Sequence, residues 1–250
     1  MNYLIAGGKI LGLIACCALL AGYAHAQRDP RAVLKSVVDN QRGGTLRATL
    51  TLNVVRPDRQ TQYVLDIVSD GNQRALSRVK APAREAGQAF LRDGENILIY
   101  NPALKRVLRL PPSGRSDSFL GSDLSYSDLA GRDLEHDYTP KVASEDAETL
   151  TLELTPRPDA PTPYGKVTLK ARLKGFVPLE VTYFDQRNQA VRRISFSQFA
   201  EAGGRTFPVQ MAIEDLLRPG NRTTLVYSGY QFGVSLPQGC FTQRALETGC

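Results

Sequence analysis

Residues 45–55 read TLRATLTLNVV: the apolar side chains Leu46, Ala48, Leu50, Leu52 and Val54 alternate with Thr45, Arg47, Thr49, Thr51 and Asn53. A period of two sends successive side chains to opposite faces, so this stretch is a strand with one face buried and one in water. Tyr63, Leu65 and Ile67 repeat the device against Gln62 and Asp66. Short runs of the same kind follow at 74–80, 88–92, 96–100 and 104–110, separated by turn residues such as Asp70-Gly71-Asn72, Asp93-Gly94 and Asn101-Pro102. More lie at 149–154, 166–173, 179–184, 191–199, 207–215 and 223–230. The template yields roughly eleven strands. Their connections are too short for parallel crossovers, which makes the sheet an antiparallel meander and the chain mainly β. The proline-rich residues 156–163 read as a long loop between two halves of that sheet.

One helix precedes the strands. Asp29-Pro30 supplies an N-cap and a proline at the first helical position, Val33, Leu34, Val37 and Val38 form one apolar face, and Gly43-Gly44 ends it. A sheet of this many strands curls with its twist. Its apolar face has only this helix and the segment 118–138 to cover it. The sheet therefore either closes on itself as a filled barrel or stays a curved half-barrel with an apolar cavity, a default binding site.

Residues 1–26 read as a signal peptide: Lys9 gives positive charge, residues 10–22 are apolar, and Ala24-His25-Ala26 is a small-x-small cleavage signal. Cleavage after Ala26 leaves one exported domain, 27–250. A second reading takes Leu13-Ile14-Ala15-Cys16 as a lipoprotein box that leaves a membrane anchor on Cys16. The formal net charge of the whole chain is +6. Its basic residues, among them Arg28, Arg31, Lys35, Arg42, Lys166, Lys170, Arg172 and Lys174, are scattered without the aromatic-basic pattern of a nucleic-acid reader, so no nucleic-acid partner is expected. Attraction to an anionic membrane surface would amount to about 1 kcal/mol per well-placed cation. Cys16 and Cys17 leave with the leader. Cys240 and Cys250 then form an even pair in an oxidising compartment and read as a disulfide, worth roughly 2–3 kcal/mol in the chain-entropy model. The region around them has no histidine to build a metal site.

Residues 118–138, SFLGSDLSYSDLAGRDLEHDY, gather four aspartates, Glu135 and His136. Catalysis would need His136 with Asp133, Asp137 or Ser125, but no nucleophile elbow, HExxH or spaced histidine pair accompanies them. Asp123, Asp128 and Asp133 recur every five residues, a spacing that fits neither a helix face nor an EF-hand loop. No catalytic residue, metal or cofactor is therefore expected. The structural reading uses more of the residues. Ser122 or Asp123 caps a short helix, Ser127-Asp128 caps a following turn, and Gly121 and Gly131 punctuate the ends. Phe119, Leu124, Tyr126 and Leu129 then face the sheet as a lid, and His136 falls on a strand beginning at Leu134.

Several stretches resemble a known family: the leading helix and long meander, GSDLSYSDL at 121–129, Pro178-Leu179-Glu180, Tyr183-Phe184-Asp185, and the ending CFTQRALE at 240–247. The chain is similar over nearly its whole mature length to the bacterial outer membrane lipoprotein-sorting proteins, relatives of the periplasmic carriers LolA and LolB. The resemblance implies a curved antiparallel half-barrel lidded by helices, with acyl chains held between sheet and lid. On that basis the ligand is a lipoprotein or other lipid, with an inner- or outer-membrane transport system as partner. The cavity lining is expected to be Leu50, Leu52, Val54, Tyr63, Leu65, Ile67, Ile97, Ile99, Leu108 and Leu110, with Leu169, Leu173, Val181, Tyr183, Met211 and Ile213. A non-carrying periplasmic scaffold or sensor docking to a transporter is the alternative of a different class.

Overall fold

The structure is a computed structural model that describes residues 28–71, 73–129, 134–202 and 204–250. The expected signal peptide, Cys16, Asn72, Gly131 and Asp133 lie outside the described residues.

Helix α1 (Pro30–Arg42) opens the described chain. Asp29 caps it by accepting a 3.0 Å bond from the Arg31 backbone N–H, and Gly43, at φ 59°, ends it by donating to the Asp39 carbonyl. Asn40 ties the helix down near its C-terminus, its side-chain amide donating to the carbonyls of Gly175 and Thr206 at 3.0 Å each.

Thirteen strands follow: β1 (Leu46–Arg56), β2 (Arg59–Ser69), β3 (Arg74–Ala81), β4 (Ala89–Asp93), β5 (Asn96–Asn101), β6 (Arg106–Arg109), β7 (Tyr138–Glu145), β8 (Thr149–Pro156), β9 (Lys166–Arg172), β10 (Pro178–Phe184), β11 (Ala190–Ala202), β12 (Arg205–Asp215) and β13 (Arg222–Phe232). They form one antiparallel sheet in the order β6-β5-β4-β3-β2-β1-β13-β12-β11-β10-β9-β8-β7. β1, the strand of residues 45–55, lies in its interior next to the central strand β13, with β2 on its other side. The order has two ends, β6 and β7, so the sheet is open and the filled barrel is excluded. The strand count exceeds the roughly eleven expected. The strand expected to begin at Leu134 begins at Tyr138, and Leu134–Asp137 form a helical turn.

The topology also corrects the division into halves. Residues 156–163 join neighbouring strands, β8 and β9. The connection that separates the halves is the segment between β6 and β7, which must travel from one free edge of the sheet to the other. This is the aspartate-rich stretch, and its sequence is explained by the face it crosses.

Both sheet faces carry packed apolar side chains. Leu50, Leu52, Val54, Leu65, Val79, Leu225 and Ile213 share the inner face, with Leu152, Leu154, Leu169 and Val181 continuing it toward β7. Helix α1 lays Val33, Leu34 and Val37 on the β7–β11 part of that face, and the crossing segment covers the β1–β4 part. The outer face has a separate cover that the periodicity did not announce. Helix α4 (Gln243–Thr248) buries Ala245 and Leu246 against Leu76, Ala89 and Leu91. Arg78 donates to the carbonyls of Ala245 at 3.1 Å and Leu246 at 2.7 Å, tying the end of the helix to β3. The Cys240–Cys250 disulfide closes the segment that holds α4. Among the described residues, no helix is long and apolar enough to cross a membrane.

Candidate functional site

The crossing segment is a small structured unit. Ser118 bridges Ser125, Phe119 N–H donates to the Leu124 carbonyl at 2.7 Å, and Tyr126 N–H donates to the Asp117 carbonyl at 3.1 Å. Two short helical pieces punctuate it, a 3-10 turn Phe119–Gly121 and α2 (Tyr126–Leu129). Ser125 caps α2, rather than the expected Ser122 or Asp123. Its hydroxyl accepts from the Asp128 N–H at 3.2 Å while the Asp128 carboxylate accepts from the Ser125 N–H at 2.8 Å. This is a reciprocal capping box.

The apolar side of this unit interlocks with the sheet. Phe119 meets Phe90 edge-on, with ring centroids 4.7 Å apart and planes at 71°, and Tyr126 meets Phe119 at 5.7 Å and 83°. Such perpendicular pairs contribute about 0.5–1.5 kcal/mol each beyond the area they bury. Leu124 is buried in the same cluster, and Leu129 packs against it.

Its polar side is fastened by two arginines that sequence reasoning did not single out. Arg56, at the end of β1, donates to the Asp123 carboxylate at 2.9 Å and to the Gly121 carbonyl at 2.7 Å. Arg192, on β11, donates through both terminal nitrogens to Asp128 and also to the Asp123 carbonyl at 3.1 Å. Thr223, fully buried on β13, completes the grip: its hydroxyl donates to Asp123 at 2.7 Å and accepts from the Asp123 N–H at 2.9 Å. Burial alone would push the Arg192 guanidinium down, but the facing Asp128 carboxylate reverses this and holds it above its usual range. Burial, then the charge of Asp117, pushes the Tyr126 phenol up. A legible signal existed. Arg192 shares the strand parity of Ile194 and Phe196, and Arg56 that of Val54, so each places a charge on an apolar face.

Of the described catalytic candidates, Ser125 is apart from His136, and His136 meets Asp137 at the protein surface. Ser125 donates its hydroxyl to Asp128 at 2.9 Å. His136 stands on the one-turn α3 (Leu134–Asp137) with its side chain 78% exposed and Nδ1 3.0 Å from Asp137. Of the expected lining residues, Leu50, Leu52, Val54, Tyr63, Leu65, Ile67, Ile99, Met211 and Ile213 share one cluster with Phe119 and Leu124 of the crossing segment. Leu169, Leu173, Val181 and Tyr183 lie in the cluster under α1, which Met211 also touches. Ile97 is buried, and its carbonyl accepts from the Leu110 N–H at 2.9 Å. Leu108, opposite Ile99, is 54% exposed on the edge strand β6.

A family model described as an uncharacterized protein matches residues 71–248. Among solved structures, a putative outer membrane lipoprotein-sorting protein domain from Vibrio parahaemolyticus is 20% identical, with TM-score 0.75 over 87% of this chain and 98% of that one. A LolA superfamily protein from Nitrosomonas europaea is 23% identical, with TM-score 0.70 over 87% and 99%. A DUF1329 family protein from Desulfovibrio piger is 23% identical, with TM-score 0.76 over 88% and 100%. At these identities the likeness is one of fold. No curated protein matches the sequence significantly.

Proposed function

Because the chain belongs to the DUF1329-like family matched over residues 71–248 and has the open LolA-like fold, we propose that it is a periplasmic carrier for lipoproteins or other acylated ligands. Residues 1–26 act as its export signal, and residues 27–250 form the single working domain. The observation that carries this reading is a lid made as a separate unit over a continuous apolar face. The unit keeps its own backbone bonds and capping box, while Arg56, Arg192 and Thr223 tie it to the sheet by ionic and hydrogen bonds.

Such a unit can lift without unravelling. Lifting uncovers Leu50, Leu52, Leu65 and Ile213, and an acyl chain laid there leaves water at a gain of about 0.8 kcal/mol per methylene. The energy of transport thus resides in hydrocarbon burial, with no chemistry on the ligand. Uptake of a fluorescent fatty acid tests the reading: saturable uptake is expected, and a protein that takes up none is not such a carrier.

One observation favours the alternative, a non-carrying scaffold or sensor at a membrane transport system. The rings of Phe90, Phe119 and Tyr126 interlock, so in this closed form the lid's own side chains occupy the face. A scaffold keeps that packing throughout its working cycle; a carrier exchanges it for ligand.

A further inference from the structure

A cavity of about 320 Å³ opens away from the lid, between the first turns of α1 and the edge strand β7. Its apolar part is Leu34, Tyr138 and Pro140, all buried, and Tyr138 is fixed by a 2.7 Å hydrogen bond to Thr162. Among the described residues, its polar part is Arg31, Lys35 and Arg157 against one carboxylate, Glu135. Lys35 is already engaged with Asp39 at the helix surface. Among the described residues, Arg31 has no side-chain partner, and the Arg157 guanidinium reaches only a backbone carbonyl, that of Glu135, at 3.4 Å. Among the described residues, neither guanidinium has a carboxylate within ion-pair distance, and two such groups at one cavity attract an anion. Their planar forks match the oxygens of a phosphate. The N-terminus of α1 adds little, because Asp29 already caps it.

We propose that this cavity binds a phosphate ester, with Arg31 and Arg157 on its oxygens. The volume lies at the lower end of small-molecule sites, the size of a head group rather than of an acyl chain. Where the phosphate belongs to a lipid, this deepens the carrier reading by naming the head group, and that part rests on it. A soluble phosphate monoester has the same chemistry.

The test titrates the full mature chain with glycerol 3-phosphate, with dihexanoyl phosphatidic acid and with uncharged dihexanoylglycerol, following backbone amide shifts by NMR. Either phosphate ester is expected to shift the amides of Arg31, Lys35 and Tyr138. Equal affinity for the two assigns a soluble ligand, and preference for the acylated one assigns a lipid head group. Arg31→Gln, at an exposed position, and Arg157→Gln should each weaken binding by about tenfold or more, with a shallower salt dependence. Absence of shifts at these amides with both esters, or unchanged affinity in both variants, overturns the proposal. Dihexanoylglycerol reports separately on the lid face, so failure to bind it counts against the carrier while leaving the phosphate result intact.

Discussion

Arg192 on β11 holds Asp128 of the lid through two parallel bonds, Nη1 to Oδ1 at 3.1 Å and Nη2 to Oδ2 at 2.9 Å, with the side chains only 11% and 10% exposed. A second pair, Arg56 and Asp123, is similarly sheltered at 12% and 10%. Ion pairs this far from water contribute little net stability, yet removing one partner is expensive because the other charge stays buried. That asymmetry suits a fastening that is either whole or released.

Asp128→Ala should destabilise the protein by about 3–5 kcal/mol in urea unfolding. Ser125→Ala, which removes the cap and one hydroxyl bond to Asp128 but leaves the ion pair, should cost about 1 kcal/mol. Replacing both Arg192 and Asp128 by leucine should recover much of the larger loss. Equal effects from the two single variants would mean that the carboxylate matters as a cap and not as a fastening.

Leu124→Glu or Tyr126→Glu should abolish retention of a fluorescent fatty acid while far-ultraviolet circular dichroism stays native. The lid then carries a charge toward an apolar face but contributes few backbone bonds to the sheet. Unchanged retention in both variants would remove the lid from ligand exchange.

Two phenols give a pH signature. Burial raises Tyr227 above its ordinary value of 10.0, and Tyr126 is raised as well. The folded state therefore favours the neutral rings. Their contribution is fully present below pH 10 and is lost as pH rises from there through the folded-state values. Stability measured from pH 9 upward should fall, and less steeply in Tyr227→Phe. An identical slope in that variant would assign the alkaline loss to other groups.

Removing the Cys240–Cys250 bond by serine substitution should cost roughly 2–3 kcal/mol. The loss should concentrate on the outer face, where Leu246 packs on Leu76 and Leu91. Amide exchange should quicken in α4 and β3–β5 before it does in β8–β10, and uniform quickening would contradict that local role.

Much of this fold was legible because strand parity is written directly in residue order. Leu50, Leu52 and Val54 identify their face without reference to any other segment. The two ends of the sheet were not legible, because pairing of β1 with β13 joins residues near 50 to residues near 225, and no local pattern carries that distance. The crossing path of the lid follows from that pairing, so it stayed hidden as well. The fastening was half legible. Ser125 and Asp128 have capping-box spacing, and Arg192 breaks an apolar alternation, but the ion pair between them exists only once β11 and the lid are brought together. The outer-face helix escaped because its buried set, Ala245 and Leu246, is too short to show a period.

Native mass spectrometry of the protein purified from cells bears most directly on whether the lid encloses a ligand. An acyl-bearing adduct is expected on the mature chain, absent from Tyr126→Glu and replaceable by added fatty acid. A bare polypeptide mass in the wild-type protein, with no uptake when fatty acid is supplied, would contradict a carrier and leave a sheet whose lid only seals its core.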